Sequence, residues 1–304
     1  MTAGFRMEKL LNLMGESTRI ERALEAVLAE AVGPDCPPRL AAALRHALFP
    51  GGARIRPRLC LGVAEALGEP RPALSLAAAA AVELLHCASL VHDDLPCFDD
   101  APLRRGQPSV QRAFGEPTAV LVGDGLIVLA FEAVGRAGAA HPELTPPLLR
   151  VLAEAAGPAR GLIAGQAWES EPEVDLERYH RAKSAALFEA ATAAGALASG
   201  APPAPWAAAG RLLGQAYQLA DDLADALGEE GDLGKAVGRD AALGRPNACT
   251  RLGPAEALRR LDGLIAQALA SLPEAGHRAG LERTFREFAE RLCPPALRAR
   301  CAAG

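Results

Sequence analysis

Seven of the chain's 13 aspartates fall into two short runs: Asp93, Asp94, Asp99 and Asp100 in VHDDLPCFDD, and Asp221, Asp222 and Asp225 in LADDLAD. Both runs lie among apolar residues, where clustered carboxylates are costly unless a cation binds them. On a helix Asp221 and Asp225 are four residues apart and Asp222 and Asp225 three, so the carboxylates share one side. Oxygen ligands without histidine or cysteine point to Mg²⁺ rather than zinc. In the first run Asp99 follows Asp93 by six residues, about 240° around a straight helix. Pro96 cannot continue a helix interior without a kink, so the helix is expected to end or bend there and bring Asp99 back beside Asp93. His86 stands seven residues before Asp93, on nearly the same face and about 10 Å lower. A solvated helix end explains one acidic cluster. Two of them, each closing an apolar helix, read instead as the mouth of a deep pocket. Mg²⁺ bound by one or two carboxylates completes its shell with water and phosphate oxygens. The pattern therefore predicts a polyanionic substrate held by several ions, helped by the cations of RIRPR (54–58), LRRG (103–106), Lys183 and Lys235.

The lysines narrow the search. The 32 basic residues include only Lys9, Lys183 and Lys235, the rest being arginine. Against such a bias a retained lysine marks a position worth inspecting, because the two cations are not equivalent at a phosphate.

The elements that must carry these residues are helical. The chain has 304 residues, half of them apolar, 23% charged and 4% aromatic, with a formal net charge of −5. That describes a globular chain with a sizeable core and excludes a disordered one. Its acidity argues against a nucleic-acid binder. Seven cysteines without a C-x-x-C pair fit a reduced, cytoplasmic setting and no structural zinc. Residues 1–16 read as a flexible leader without a signal-peptide core, and no uninterrupted apolar run of about 20 residues suggests a membrane span. Helices are expected over 17–31, 38–48, 58–67, 72–94, 117–135, 145–165, 175–199, 204–228, 255–271 and 279–292, with RRGQP (104–108) a loop. No alternating strand pattern occurs. One all-α domain over residues 1–304 is the simplest reading. His92 reads as a packing residue, and His46, His141, His180 and His277 as isolated surface residues. Cys87 and Cys97 read as small apolar packers, Trp168 and Phe188 as core, and Gln166 and Glu169 as polar support for the site.

With these residues in view, the chain resembles the trans-isoprenyl diphosphate synthases. DDLPCFD (93–99) with LRRG (103–106) is similar to that family's first aspartate motif, and DDLAD (221–225) to its second. GGARIRP (51–57), GQAWESE (165–171), KSAALF (183–188), FGEPTAVLVGDGL (114–126), GDLGK (231–235) and GRD (238–240) extend the likeness over about residues 45–248. The resemblance implies a helical bundle around a deep central cavity, the isoprenoid synthase fold, working as a homodimer. It implies that Asp93, Asp94 and Asp99 bind two Mg²⁺ ions, and Asp221, with Asp222 and Asp225 near, a third. Those ions with Arg104, Lys183 and Lys235 would hold an allylic diphosphate, and Arg54, His86 and Arg105 isopentenyl diphosphate. Ser184 and Gln218 would lie beside the developing allylic cation.

The match departs at Ala53, where the family usually has lysine; Arg56 or another arginine is the available substitute. Arg245 in GRPN also stands for a lysine, and Ser184 for the commoner threonine. The residues five and four before the first motif, Ala88 and Ser89, are small where farnesyl-making relatives place aromatics. GRPNA, GQAWESE and LRRGQP are similar to carotenoid-type bacterial geranylgeranyl diphosphate synthases, so a C20 product is expected. A farnesyl diphosphate synthase, a class I terpene cyclase and a catalytically weak subunit of a heteromeric synthase are the competing readings. The cyclase needs neither two aspartate motifs nor LRRG, and the weak subunit would be expected to lose one motif.

Overall fold

The computed structural model describes residues 18–227 and 247–303. Lys235, Arg245, GDLGK, GRD and the expected leader lie outside the described residues. A helix through residues 18–31 (α1) is followed by α2 (Pro38–Leu48), α3 (Ile55–Ala66) and α4 (Pro72–Asp93). Next come α5 (Val110–Phe114), α6 (Glu116–Ala137), α7 (Thr145–Ala156), α8 (Leu162–Ala167) and α9 (Leu176–His180). A π-helical turn, Arg181–Ala185, joins α9 to α10 (Ala186–Ala198), and α11 (Ala204–Leu227) follows. After residue 247 come α12 (Ala248–Leu252), α13 (Pro254–Ala270), α14 (Arg278–Leu292) and α15 (Pro295–Ala303). The expectation of an all-helical chain holds.

The bundle is organised around α4 and α10. Pro72 opens α4 at a position where a missing N–H costs nothing, and a run of alanine and leucine then carries it for 22 residues. Ala78–Val82, Leu84, Leu85 and Val91 are buried, with α6, α3 and α10 packed around them. Small alanine faces let these helices approach closely, while each buried leucine contributes about 1.5–3 kcal/mol. On α10 every residue but Glu189 is buried. Its glycine neighbours set the crossings: a Cβ on Gly210 of α11 would lie 2.5 Å from the Phe188 carbonyl oxygen.

Two boundaries differ from expectation for local reasons. The helix expected over 145–165 breaks after Ala156. There Gly157 turns extended, and a Cβ on Gly161 would come within 2.3 Å of the Ala155 oxygen, so only glycine lets the chain double back. The RRGQP loop is a two-residue hairpin, with Leu103 opposite Pro108 and Arg104 opposite Gln107. Arg105 and Gly106 at its tip both have positive φ, 52° and 77°, as a primed turn requires. These strands, β1 (Leu103–Arg104) and β2 (Gln107–Pro108), are the only ones among the described residues.

Two helices carry long apolar stretches without marking a clear membrane span. Pro72–Asp93 and Glu116–Ala140 are both long and apolar enough to cross a bilayer, because polar residues within them are few and widely spaced. Of their most apolar windows, 72% of the first and 44% of the second is buried inside the protein, so α4 owes its composition to the core. The outward face of α6 shows Val120, Leu121 and Val128, 42%, 57% and 64% exposed.

Candidate active site

The first aspartate motif closes α4. After Asp93 the backbone wraps: the Asp99 amide donates to the Asp93 carbonyl at 2.9 Å and the Asp100 amide to the Leu95 carbonyl at 3.0 Å. Asp100 takes φ 45°, the left-handed conformation that commonly ends a helix. This is the return that Pro96 was expected to produce. Asp93 and Asp94 then diverge, because successive helix positions are about 100° apart. Asp94 is buried and accepts from the Arg104 guanidinium, with Nε at 3.1 Å from Oδ1 and 3.2 Å from Oδ2. Asp93 Oδ1 is buried with no hydrogen-bond partner. Burial pushes the Asp93 carboxyl up from its usual range; Lys183 opposes this, Asp99 and Glu169 add to it, and Arg104 opposes it.

His86, Ser89 and Asp93 form the half-open stripe of α4, whereas Ala88 is buried in the core. Burial, then the positive field of Arg56, Arg105, Arg104 and Arg54, holds the His86 imidazole well below its ordinary pKa and keeps it neutral. The GGARIRP segment delivers these arginines. A Cβ on Gly52 would sit 2.7 Å from Arg105 Cζ, so the glycine leaves room for the Arg105 guanidinium, which donates to the Gly51 carbonyl.

Arg54 does not stand where the resemblance puts it. It is 3% exposed, and donates to Glu83 Oε1 at 2.7 Å, Glu21 Oε1 at 2.8 Å and the Leu48 carbonyl at 2.6 Å. It neutralises the buried Glu83 and is an internal tie rather than a phosphate ligand. Arg56 is the available cation. Its Nε is buried without a partner, and its guanidinium carbon lies 4.5 Å from the centre of the Phe188 ring and 5.4 Å from that of Tyr217. Phe188 is core as expected, and stacking on it and Tyr217 holds Arg56 without consuming its donors. Arg56 stands three residues beyond the uncharged Ala53, with its buried Nε unused by the protein.

The opposite wall is the π-helical turn, an irregularity that recurs at functional sites. It carries Lys183 and Ser184 side by side. Lys183 donates to Glu169, which also accepts from Tyr179 Oη at 2.8 Å and Gln166 Nε2 at 3.2 Å. The support expected of Gln166 and Glu169 is thus directed at Lys183. A Cβ on Gly165 would meet Lys183 Cα at 2.4 Å, so the glycine of GQ sets the crossing of α8 against this turn. Ser184 donates to Gln218 Oε1, and Gln218 Nε2 donates to Asp222 Oδ1 at 2.8 Å. Asp222 Oδ2 accepts from the Ala248 amide at 2.7 Å and lies 3.2 Å from His180 Nε2. Asp222, 1% exposed, is therefore occupied by protein donors, while Asp221 is half-buried and Asp225 buried.

Several minor readings change. His180 is not an isolated surface residue but abuts Asp222, and His46 Nε2 lies 2.7 Å from the Pro108 carbonyl, bridging α2 to the hairpin. Trp168 is half-exposed and Cys97 exposed, so neither is core. His92 packs on α6: a Cβ on Gly123 would clash with its ring at 2.0 Å. Sequence reasoning missed Tyr179 and Glu83. Tyr179 sits four residues before Lys183, a spacing that would have found it; Glu83 stands out as an acid inside the apolar segment 72–94, but nothing local marked Arg54 as its partner.

The donor set fits Mg²⁺. Asp93 Oδ1 is an orphaned, buried acceptor whose carboxyl is hard to ionise until a cation arrives. Among the described residues no three acidic, histidine or cysteine side chains converge closely enough to hold an ion alone.

The Polyprenyl synthetase family model matches residues 37–267. This chain belongs to the polyprenyl synthetase family. Among its curated relatives, the geranylgeranyl diphosphate synthase of Cereibacter sphaeroides is 50% identical over 287 residues, covering 94% of this chain and all of the relative. That of Rhodobacter capsulatus is 48% identical over 92% of this chain and 96% of its own length. Among solved structures, an FPP/GFPP synthase from Zymomonas mobilis superposes with a TM-score of 0.79 at 32% identity, over 92% of this chain and 99% of the other. A Helicobacter pylori geranyltransferase complexed with magnesium and isoprenyl diphosphate gives 0.77 at 29% identity, over 92% and 97%. The polyprenyl synthetase described here is a prenyltransferase with the isoprenoid synthase fold.

Proposed function

We propose that this polyprenyl synthetase condenses isopentenyl diphosphate with an allylic diphosphate, in the presence of Mg²⁺, to give geranylgeranyl diphosphate. The observation that carries the reading is the buried, partnerless Asp93 Oδ1 in the field of Lys183, at the top of a helix face whose lower end, His86, is ringed by arginines. Two separate phosphate-binding centres on one wall suit two diphosphate substrates. Asp93 and Asp99, with Asp221 and Asp225, would hold three Mg²⁺ ions; Asp94 orients Arg104, and Asp222 orients Gln218. Bound Mg²⁺ supplies Lewis-acid stabilisation of the departing diphosphate. Arg104 and Lys183 add positive charge where the leaving group's charge develops; for Lys235 the same role rests on the family resemblance alone. Arg56, Arg105 and neutral His86 would seat isopentenyl diphosphate so that its double bond faces the allylic carbon. The Ser184–Gln218 pair presents oxygen dipoles beside the developing cation, and the apolar helix walls exclude the water that would quench it. The released diphosphate is the base nearest the proton that must leave.

The C20 product is supported by the small Ser89 on the half-open stripe of α4 and by the names of the Cereibacter and Rhodobacter relatives, whereas Ala88, expected beside it, faces the core. The chain reads as one domain and a carotenoid-type homodimer. The exposed Val120, Leu121 and Val128 of α6 supply an apolar face for the second copy. Seven free cysteines suit the reducing cytoplasm. Incubation with Mg²⁺, labelled isopentenyl diphosphate and farnesyl diphosphate, read by product mass, tests the whole reading. A C20 diphosphate is expected. A cyclised hydrocarbon, a product stopping at C15, or silence without a partner chain would each overturn it.

A further inference from the structure

Beside the second aspartate motif, between α9, α11, α12 and α13, lies a cleft of about 350 Å³, at the small end of the range for ligand pockets. Leu176, Leu219 and Leu264 give it apolar walls, and Arg251 and Arg260 stand exposed around it. Neither arginine has an ion-pair partner among the described residues. Of the two acids on the lining, Asp175 is already committed: its carboxylate caps α9, accepting the Glu177 and Arg178 amides at 3.0 and 3.2 Å, and pairs with Arg178 at 3.4 Å. Glu177 is exposed like the two arginines and brings the formal charge of the lining to zero with Asp175 counted, so it is the ion-pair-free Arg251 and Arg260, not a net charge, that an anion would meet. His180 also lines it, with Nε2 buried and lacking a properly directed hydrogen bond although Asp222 Oδ2 is 3.2 Å away.

We propose that this cleft is a second binding site, taking an amphipathic anion of the size of a five- or ten-carbon prenyl diphosphate, and that its occupancy is felt at the second aspartate motif through His180 and Asp222. The cleft's chemistry selects an apolar tail with an anionic head; the choice of prenyl diphosphate rests on the function proposed above. The connection is short. Ala248, a wall of the cleft, donates to the carboxylate of Asp222 that also holds Gln218, so a ligand that fixes α9 against α12 acts on the hydrogen bonds that orient Gln218 and Ser184. Such coupling is reciprocal: substrate at the aspartates would alter affinity at the cleft.

Calorimetric titration of the whole protein with geranyl thiolodiphosphate, an unreactive analogue, in the presence of Mg²⁺ is the test. Two sites per chain are expected. R251E/R260E should weaken one of them by about tenfold or more, as loss of two charge-assisted contacts requires, while the other and the turnover at low substrate concentration stay unchanged. L264W, which fills the cleft without altering charge, should remove the same site. A single site in the wild-type protein, or two sites that survive both variants, would refute the proposal. Inorganic diphosphate should bind the cleft at least tenfold more weakly than the prenyl analogue; equal binding would refute the amphipathic assignment. The two readings fail separately: a site abolished by D93N belongs to the function proposed above, and a site abolished only by the arginine pair belongs to the cleft.

Discussion

Replacing Asp93 with asparagine should make the metal-free protein more stable while destroying its activity. Asp93 Oδ1 is buried without a donor, and burial is the largest influence on its carboxyl. Leaving such a group unsatisfied costs about 1–3 kcal/mol. Asparagine keeps the shape, removes the charge and can direct its amide toward Asp99 or Glu169, the two acids that face the site. A gain of about 1–2 kcal/mol follows. With an unfolding entropy near 2.1 cal/mol/K per residue, a chain of this length shifts by about 1.6 °C per kcal/mol, so Tm in EDTA should rise by roughly 1.5–3 °C. The pH dependence has a definite sign. A carboxyl whose folded pKa is raised favours folding below its unfolded pKa and loses that contribution as pH rises through the folded value. The advantage of the variant should therefore be full at neutral pH and vanish in acid, where the wild-type group is protonated too. Mg²⁺ with an unreactive diphosphate should reverse the order, stabilising the wild type and leaving D93N almost unmoved, with kcat reduced by about 10³-fold or more. Differential scanning fluorimetry with and without Mg²⁺ decides it. A metal-free D93N protein less stable than wild type, or a variant still protected by Mg²⁺ and diphosphate, would refute the claim that this oxygen waits for a cation.

Two further outcomes separate structural from chemical residues. R54A should lower stability by about 3–5 kcal/mol, because it strands the buried Glu83; R56A should fold normally and raise KM for isopentenyl diphosphate, with Tm and steady-state kinetics as the readouts. Ser89 faces the open stripe of α4 and Ala88 the core, so S89F should shorten the product with little loss of stability. A88F should instead cost about 1–3 kcal/mol by overpacking. Product mass and Tm distinguish them, and an unchanged C20 product from S89F would sink the assignment of that stripe as the pocket wall.

The sequence by itself determined the class of fold and the chemistry. Alanine- and leucine-rich runs of helical length leave no pattern for a strand, and two aspartate clusters with so few lysines leave little besides a divalent cation and a polyanion. Even the return of Asp99 to Asp93 was legible, because proline acts locally through its ring and its missing N–H. The turn types were less so: the hairpin at Arg105–Gly106 and the break at Gly157 depend on positive φ and on close backbone approach, which a residue name permits but does not impose.

Tertiary structure alone decided which members of each motif the fold itself takes up. Arg54 and Arg56 are equivalent in the sequence, yet one neutralises Glu83, 29 residues away, and the other rests on two aromatic rings with an unused donor. Asp93 and Asp94 are neighbours, yet only Asp94 meets Arg104. Asp222 likewise is taken up by Gln218 and Ala248. The physical reason is common to all three. Whether a buried charge serves the substrate or the fold depends on which opposite charge or donor the packing brings within about 3 Å, and those partners lie on other helices, at separations that no local pattern records.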